Sequence, residues 1–243
     1  MRFPLISIIT TVYNDKQNIE KTILSVINQK YKSIQYIVVD AGSTDGTLQK
    51  IIKYKNYIDK IISEPDKGIY FGINKGLKYA KGDIIGFIDS GDTYYSKTFS
   101  IVKKYFSNDK ILDFIFGPVI KDKLLYKFQP KKMWWSFNFY PSQSGGFFIR
   151  RKAQNKIGDY NTKYLCSSDY DFFYRMIRIF KMKGIIANKN EVFSRSKRNG
   201  YSSTFTFFEH SLEELRIRIN NNQNKLIVFF VFIIKIIKHF KKI

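Results

Sequence analysis

Apolar runs alternate with apolar residues at helical spacing along the first ninety positions of the chain. Four short apolar runs have the pattern of strands that are covered on both faces, at Leu5 to Thr11, Ile37 to Val39, Lys60 to Ser63 and Asp83 to Ile88. Between the first two runs, a helix is indicated by Ile19, Ile23, Val26 and Ile27, with Asn14 or Asp15 suited to cap it. This alternation predicts an α/β fold with a Rossmann-like, mostly parallel sheet flanked by helices.

The pattern becomes less regular after Asp92. It predicts a helix near Thr98 to Phe106, strands near Asp113 to Phe116, Leu124 to Phe128 and Gly145 to Arg150, and a helix from Asp169 to Phe180 with Phe172, Met176 and Ile179 on one side. We expect one domain over residues 1–220 and a tail over residues 221–243. Within the domain, residues 1–95 are expected to form a ligand-binding half, and residues 96–220 a second half.

Polar residues follow each of the first four predicted strands. Thr11, Tyr13 and Asn14 follow the first, Asp40 ends the second, the loop Glu64 to Gly68 with Lys67 follows the third, and Asp89 and Asp92 end the fourth. Ligands of parallel α/β sheets bind beyond the carboxyl ends of the strands, so this coincidence predicts a site there. Purely structural readings also fit: Asp40 as a helix cap, Asp89 and Gly91 as a turn with positive φ at the glycine, and Lys67 as a solvated side chain.

Four motifs occur in one order along the chain: SIITTVYND, YIVVDAGSTDGT, SEPDKGIYFGINKGLKYAKGDIIGFIDSGD and SSDYDFFYRM. Together, over about residues 4–180, they resemble the family 2 glycosyltransferases of the GT-A fold. The resemblance implies an inverting enzyme that moves a sugar from a nucleotide-diphosphate donor to an acceptor hydroxyl, usually with a divalent metal.

On this resemblance, the base and ribose of the donor would be bound by Thr11, Tyr13 and Asp40. Lys67 would add a positive charge near the diphosphate. Ala41 stands where relatives often have a second aspartate, which leaves the identity of the nucleotide open.

The FIDSGD segment is where the resemblance places Mg²⁺ or Mn²⁺, hard ions that take oxygen ligands. Many relatives carry a further carboxylate at the position of Gly91. The metal prediction therefore depends mainly on Asp92, with Asp89 directed to the ribose or to the metal through water.

An acceptor hydroxyl needs a base, because an alcohol is a poor nucleophile until its proton is being removed. The resemblance assigns this role to Asp169, the first carboxylate of SSDYDFF, with Asp171 facing the fold. The alternative is that Asp169 only caps a helix N-terminus.

Further acceptor or lid residues are predicted upstream and downstream of this motif. Gln143 lies where relatives often have His-Gln, and Trp134 and Trp135 could stack on a sugar or contact a lipid carrier, although such a cluster is also typical of a core. Arg198 belongs to a basic loop that could close over the diphosphate.

The composition of the chain indicates possible binding partners but does not indicate a reaction. The 243 residues carry 42 Lys and Arg against 20 Asp and Glu, a formal net charge of +22, which attracts polyanions and anionic membranes unless it reflects only a lysine-rich composition. A single cysteine, Cys166, excludes an internal disulfide framework and a multi-cysteine zinc site. The N-terminus has the pattern of a first strand and lacks that of a signal peptide, so we expect a cytoplasmic protein.

The tail contains nine consecutive apolar residues, Leu226 to Ile234, followed by a mixture of lysines and apolar residues. A spanning helix needs about 20 apolar residues, so this segment is too short to cross a bilayer alone. It could lie at the inner face of the membrane, close to a lipid-linked saccharide acceptor of bacterial surface polysaccharide. Alternatively it packs on its own domain or on a second subunit.

Other function classes share some of these sequence features. No GxGxxG or Walker A motif occurs, which disfavours a dinucleotide-dependent enzyme or a P-loop enzyme. A nucleotidyltransferase remains an alternative because it uses the same kinds of groups, and so does a non-enzymatic basic protein that binds nucleic acid or membrane. A specific nucleic-acid partner is not expected, and the oligomeric state is left open.

Overall fold

The computed structural model describes residues 3–136, 143–197 and 200–239. The strands are β1 (Ile6–Val12), β2 (Ile34–Asp40), β3 (Lys60–Ser63), β4 (Ile84–Asp89), β5 (Thr93–Tyr94), β6 (Phe114–Phe116), β7 (Val119–Ile120), β8 (Leu124–Leu125), β9 (Phe147–Arg150), β10 (Gly184–Ile186) and β11 (Ser194–Arg195). The α-helices are α1 (Ile19–Ile27), α2 (Thr47–Ile52), α3 (Ile69–Leu77), α4 (Thr98–Asn108), α5 (Arg151–Ile157), α6 (Ser168–Tyr174), α7 (Phe207–Asn220) and α8 (Lys225–Lys238).

The main sheet has the strand order β10-β6-β9-β4-β1-β2-β3. Every neighbouring pair is parallel except those made by β9, which runs antiparallel to β4 and to β6. A smaller sheet has the order β5-β11-β7-β8. The predicted mostly parallel α/β fold is confirmed, and strands from both halves of the chain share the main sheet.

Apolar residues cover both faces of the main sheet. Successive residues of β1 and β4 alternate between two buried clusters, with Ile9 and Phe87 in one and Ile8 and Ile88 in the other. All seven residues of β1 are buried, as expected for a strand between two helical layers.

Three local predictions are wrong. Helix α1 begins after Asn18, and no side chain caps it, so neither Asn14 nor Asp15 is the cap. The strand predicted for Leu124 to Phe128 is only the pair that forms β8. The predicted helix Asp169 to Phe180 is α-helical only to Tyr174 and continues as a π-helical turn, which leaves Ile179 51% exposed.

The C-terminal region forms two helices. A capping box between Thr206 and Glu209 starts α7, and α8 follows it and packs on it. Val228 and Val231 of α8 are buried, which agrees with the packing alternative for the tail. In the described part of the chain, no helix has the length and apolar character needed to cross a membrane.

Candidate functional site

A cavity of about 770 Å³ opens beyond the carboxyl ends of β1 to β4. The parallel register places Thr11 beside Asp89 and Val12 beside Asp40, so the polar strand ends meet at one edge of the sheet. The cavity extends across to α6, where Asp169 lines its wall. Groups from distant parts of the sequence therefore face one space.

Asp89 is held by hydroxyl donors at both carboxylate oxygens. Thr11 Oγ1 donates to Oδ1 at 2.8 Å, and Ser144 Oγ donates to Oδ2 at 2.8 Å. Burial raises the pKa of Asp89, while these hydrogen bonds oppose the rise. The carboxylate is thus fixed in orientation at the end of β4.

Asp92 is 4% exposed, and its Oδ1 accepts from the backbone N–H of Lys197 at 2.8 Å and from Ser196 Oγ at 3.1 Å. Burial, and then the charge of Asp89, raise the pKa of Asp92 to about 7. Its other oxygen accepts no hydrogen bond from residues 3–136, 143–197 or 200–239. The charge of Lys197 opposes the rise in pKa at both carboxylates but does not cancel it.

Gln143 is connected to Asp92 through one hydroxyl. Ser196 Oγ lies 2.6 Å from Gln143 Oε1, and Gln143 also lines the cavity. The predicted acceptor or lid residue is thus next to the carboxylate pair.

An ion pair between Asp15 and Lys197 was missed by the sequence analysis. Lys197 Nζ donates to Asp15 Oδ2 at 2.8 Å, and Ser90 Oγ donates to the same oxygen at 2.9 Å. Burial raises the pKa of Asp15, but the hydrogen bonds from Lys197, Asn18 and Ser90 together hold it below its ordinary value. The polar stretch after β1 was a signal for Asp15, although it was interpreted as a helix cap.

Asp169 and Asp171 have different surroundings. Asp169 Oδ1 accepts from Tyr70 Oη at 3.2 Å and from the N–H of Tyr170 at 2.8 Å. Asp171 is 2% exposed, away from the cavity, and pairs with Arg175 at 2.8 Å. Asp171 faces the fold, as the resemblance implied, and Asp169 is the carboxylate that a bound molecule could reach.

Glu213 of α7 holds the loop that leads into α6. Its carboxylate accepts from the backbone N–H groups of Leu165 at 2.8 Å, Cys166 at 3.0 Å and Ser167 at 2.8 Å. These residues directly precede the first turn of α6, which carries Asp169. Nothing in the local sequence pattern distinguished Glu213, because its partners lie more than forty positions away.

The other predicted donor-binding residues occupy different positions. Tyr13 is 63% exposed, and both Tyr13 and Lys67 line the cavity at exposed positions. Asp40 is fully buried and accepts from Ser43 Oγ at 2.5 Å and Ser63 Oγ at 2.7 Å. Its carboxylate organises the loop after β2 and does not line the cavity.

The two tryptophans predicted to stack on a sugar or contact a lipid carrier are not among the residues that line the cavity. Trp134 and Trp135 are 43% and 61% exposed, and the Arg178 guanidinium lies 3.8 Å from the centre of a Trp134 ring. Arg198 lies outside the described residues, so its predicted role is left as a prediction.

Comparison with known proteins supports the same family. The model of "Glycosyl transferase family 2" matches residues 7–175. An uncharacterized glycosyltransferase of Methanocaldococcus jannaschii is 26% identical over 231 residues, with 85% of this chain and 79% of that protein covered. Chondroitin synthase of Pasteurella multocida is 28% identical over 194 residues, 75% of this chain but only 20% of that protein.

Solved structures agree on the fold. A 1–349 fragment of Staphylococcus aureus TarS in complex with UDP has a TM-score of 0.69 and 17% identity, with 94% of this chain and 69% of that chain covered. A mannosyltransferase of Pyrobaculum calidifontis in complex with GDP-Man and Mn²⁺ also has a TM-score of 0.69, at 16% identity and the same coverage.

Five other relatives with glycosyltransferase names are matched over only 30–38% of their own length. The family match, in contrast, spans most of this chain, and the GT-A architecture recurs in the solved neighbours. The chain therefore belongs to glycosyl transferase family 2 and is a glycosyltransferase of the GT-A fold, as the four motifs implied.

Proposed function

We propose that the protein transfers a sugar from a nucleotide-diphosphate donor to an acceptor hydroxyl with inversion, in the assembly of a surface polysaccharide. The observation that carries the proposal is the single cavity onto which Asp89, Asp92 and Asp169 all open. Such an arrangement provides oxygen ligands for a cation on one side and a carboxylate base on the other. The relationship to chondroitin synthase supports a role in polysaccharide assembly.

The Asp89–Asp92 pair fits Mg²⁺ or Mn²⁺. The two carboxylates are close enough for the charge of Asp89 to raise the pKa of Asp92, and one oxygen of Asp92 has no protein donor in the described residues. A divalent cation would neutralise this pair and, when bound, would stabilise the negative charge that develops on the departing nucleotide diphosphate. The neighbouring mannosyltransferase structure contains Mn²⁺.

The protein offers the proposed metal few further side-chain ligands in the described residues. In residues 3–136, 143–197 and 200–239, no cluster of three or more His, Cys, Asp or Glu side chains is placed to hold a metal. Asp92 is the proposed direct ligand, and Asp89 is the second carboxylate, with donor phosphate and water completing the shell.

Asp169 is the proposed general base. Its Oδ1 is already engaged by Tyr70 and by the N–H of Tyr170, which fixes the direction of the carboxylate. In the transfer step, Asp169 would take the proton of the acceptor hydroxyl as that oxygen bonds to the sugar carbon and the nucleotide diphosphate leaves.

Donor binding is proposed to use Thr11, Tyr13, Lys67 and Asp40. Thr11 acts partly by orienting Asp89, Lys67 adds charge at the cavity mouth, and Asp40 acts by shaping the loop after β2. Neighbours of equal structural similarity hold different nucleotides, UDP and GDP-Man. The nucleobase of the donor is therefore to be identified by the nucleotide screen described below.

The proposed location is the cytoplasmic face of the membrane, with a saccharide or a lipid-linked saccharide as acceptor. The supporting features are the net charge of +22 and the lysines and apolar residues of the C-terminal helix.

A thermal-shift screen with UDP-, GDP-, dTDP- and CMP-sugars, with and without Mn²⁺, tests donor binding. We expect a shift with one nucleotide that increases with the metal. Analysis of the products then tests the reaction: a transferase releases nucleoside diphosphate, whereas pyrophosphate released from a sugar phosphate and an NTP would identify a nucleotidyltransferase. The anomeric configuration of the product, read by NMR, tests inversion.

A further inference from the structure

Helix α8 presents a broad apolar face that no described part of the chain covers. Seven of its residues are exposed: Leu226 (70%), Ile227 (41%), Phe229 (57%), Phe230 (65%), Ile233 (37%), Ile234 (63%) and Ile237 (70%). They recur at the three- and four-residue spacings that bring side chains onto adjoining rows of one helix face. A contiguous exposed apolar patch of this kind marks an interaction surface.

The opposite face of α8 is fixed to the protein. Val228 and Val231 are buried, and Lys235 makes an ion pair with Glu214 of α7 in which both side chains are largely buried. The helix is therefore a packed part of the domain, and whatever binds its outer face also fixes the orientation of the domain.

Charge selects the occupant of this face. Lys225 and Lys238 are exposed at the two ends of α8, and the helix contains no acidic residue. If a second copy packed antiparallel on this face, Lys225 would lie beside the partner's Lys238, and the two positive charges would repel each other. An anionic bilayer instead offers apolar chains to the aromatic and aliphatic face and phosphate groups to the lysines.

The helix has 14 residues, about 21 Å of length, which is too short to span a bilayer. We propose that α8 docks in the plane of an anionic phospholipid surface, with its exposed apolar face in the headgroup and acyl boundary. This extends the location given under Proposed function by naming the docking surface and its lipid chemistry, and it does not depend on which sugar is transferred.

Helix α8 is connected through α7 to the loop that precedes Asp169. Glu214, which pairs with Lys235, is adjacent in α7 to Glu213, which holds the loop before Asp169.

Co-sedimentation of the full chain with vesicles of phosphatidylcholine, with and without phosphatidylglycerol, tests the surface. The test variant is Phe230→Asp with Ile234→Asp, and the matched control is Ile52→Asp with Ile111→Asp, which adds the same charge at apolar residues that are 47% and 68% exposed outside α8. We expect the wild type and the control to bind phosphatidylglycerol vesicles, more weakly at high salt, and the test variant to bind at least about tenfold less. Far-UV circular dichroism and thermal melts show whether each variant is folded.

A second pair of measurements separates this proposal from the proposed reaction. If the protein is an active transferase, the test variant keeps activity on a soluble acceptor analogue and loses activity on a vesicle-embedded acceptor. Vesicle binding that depends on α8, without any transferase activity, would support the docking surface and contradict only the reaction. Equal vesicle binding by the test variant and the control would overturn the proposal, as would a wild-type dimer that the test variant converts to monomers without any vesicle binding.

Discussion

The side chain of Lys197 lies over Gly91, so closely that a Cβ at position 91 would come within 2.4 Å of the lysine Cδ. Gly91 also has a φ of 95°, a backbone conformation that residues with a Cβ rarely adopt. Gly91 thus makes room for Lys197, whose ammonium group pairs with Asp15.

Three glycine substitutions separate these two effects on stability. Gly200 has a negative φ and no described residue near its missing Cβ, so Gly200→Ala should change the free energy of unfolding by less than about 0.5 kcal/mol. Gly158 has a φ of 84° and a ψ of −162°, a conformation that is essentially confined to glycine, and no described residue lies near its missing Cβ, so Gly158→Ala should cost about 1–3 kcal/mol from backbone strain alone. Gly91→Ala should carry its own backbone strain and, in addition, the cost of displacing Lys197.

The measurement is urea unfolding in EDTA, repeated in a Lys197→Ala background. There the cost of Gly91→Ala should fall, since the displaced side chain is absent. An unchanged cost in the two backgrounds would show that Lys197 does not lie over Gly91 in solution.

Asp169 and Asp171 provide a matched test of the proposed base. Asp169→Asn should lower kcat a hundredfold or more and leave donor affinity and the melting temperature nearly unchanged, because only the proton acceptor is lost. Asp171→Asn weakens the pairing of the mostly buried Arg175, so it should lower the free energy of unfolding by about 1–3 kcal/mol and change kcat much less. Steady-state kinetics, donor titration and urea unfolding check both, and a reversed pattern would reassign the base.

Much of the fold follows from local sequence patterns. The apolar runs of β1 to β4 and the helix spacing of Ile19 and Ile23 depend only on neighbours in sequence, so they predicted the parallel half of the sheet and the edge where its carboxylates meet. The pattern could not show that β9 enters between β4 and β6 in the opposite direction. An apolar run identifies a buried strand but specifies neither its partners nor its direction.

The parts of the site that were missed depend on long-range pairing. Asp15 and Lys197 are 182 positions apart, and Glu213 lies 46 positions from Ser167. Trp134 and Trp135 were predicted as acceptor or lid residues, with a packed cluster as the alternative, and they do not line the cavity described here. The type of a side chain suggests what chemistry it could perform, whereas the topology of the fold determines where that side chain lies.

Glu213 is expected to act as a positioning residue for Asp169. Glu213→Ala removes the acceptor of three backbone N–H groups, so the loop before α6 should shift and kcat should fall roughly 10- to 100-fold, with donor affinity kept. Glu213→Gln keeps one acceptor oxygen and should recover part of the activity.

Glu209→Ala is the control for stability in the same helix. It removes the Glu209 half of the capping box of α7, so it should lower stability and leave kcat near the wild-type value. If Glu213→Ala lowered stability to a similar extent without a fall in kcat, its role would be structural only.

The carboxylate pair predicts an unusual dependence of stability on pH in the metal-free protein. The pKa of Asp92 rises from 3.8 to about 7 on folding, because of burial and then the charge of Asp89. Between these two values the folded state binds a proton that the unfolded state does not, so the free energy of unfolding should fall as pH rises through this window. Asp92→Asn keeps an oxygen acceptor for Lys197 N–H but cannot titrate, so this contribution is absent in the variant.

The quantity to measure is the difference in free energy of unfolding between wild type and Asp92→Asn, in EDTA, from pH 4 to pH 8. Relative to the variant, the wild type should lose roughly 1–4 kcal/mol of unfolding free energy as pH rises. Asp109→Asn should give a nearly flat difference over this range, because hydrogen bonding to Lys183 leads the causes that hold the pKa of Asp109 below its ordinary value of 3.8, and its stabilisation is lost only as pH falls below about 4. A flat difference for Asp92→Asn would mean that folding does not raise the pKa of Asp92, because positive groups of the protein already compensate its charge. The reason for placing a cation beside it would then be lost.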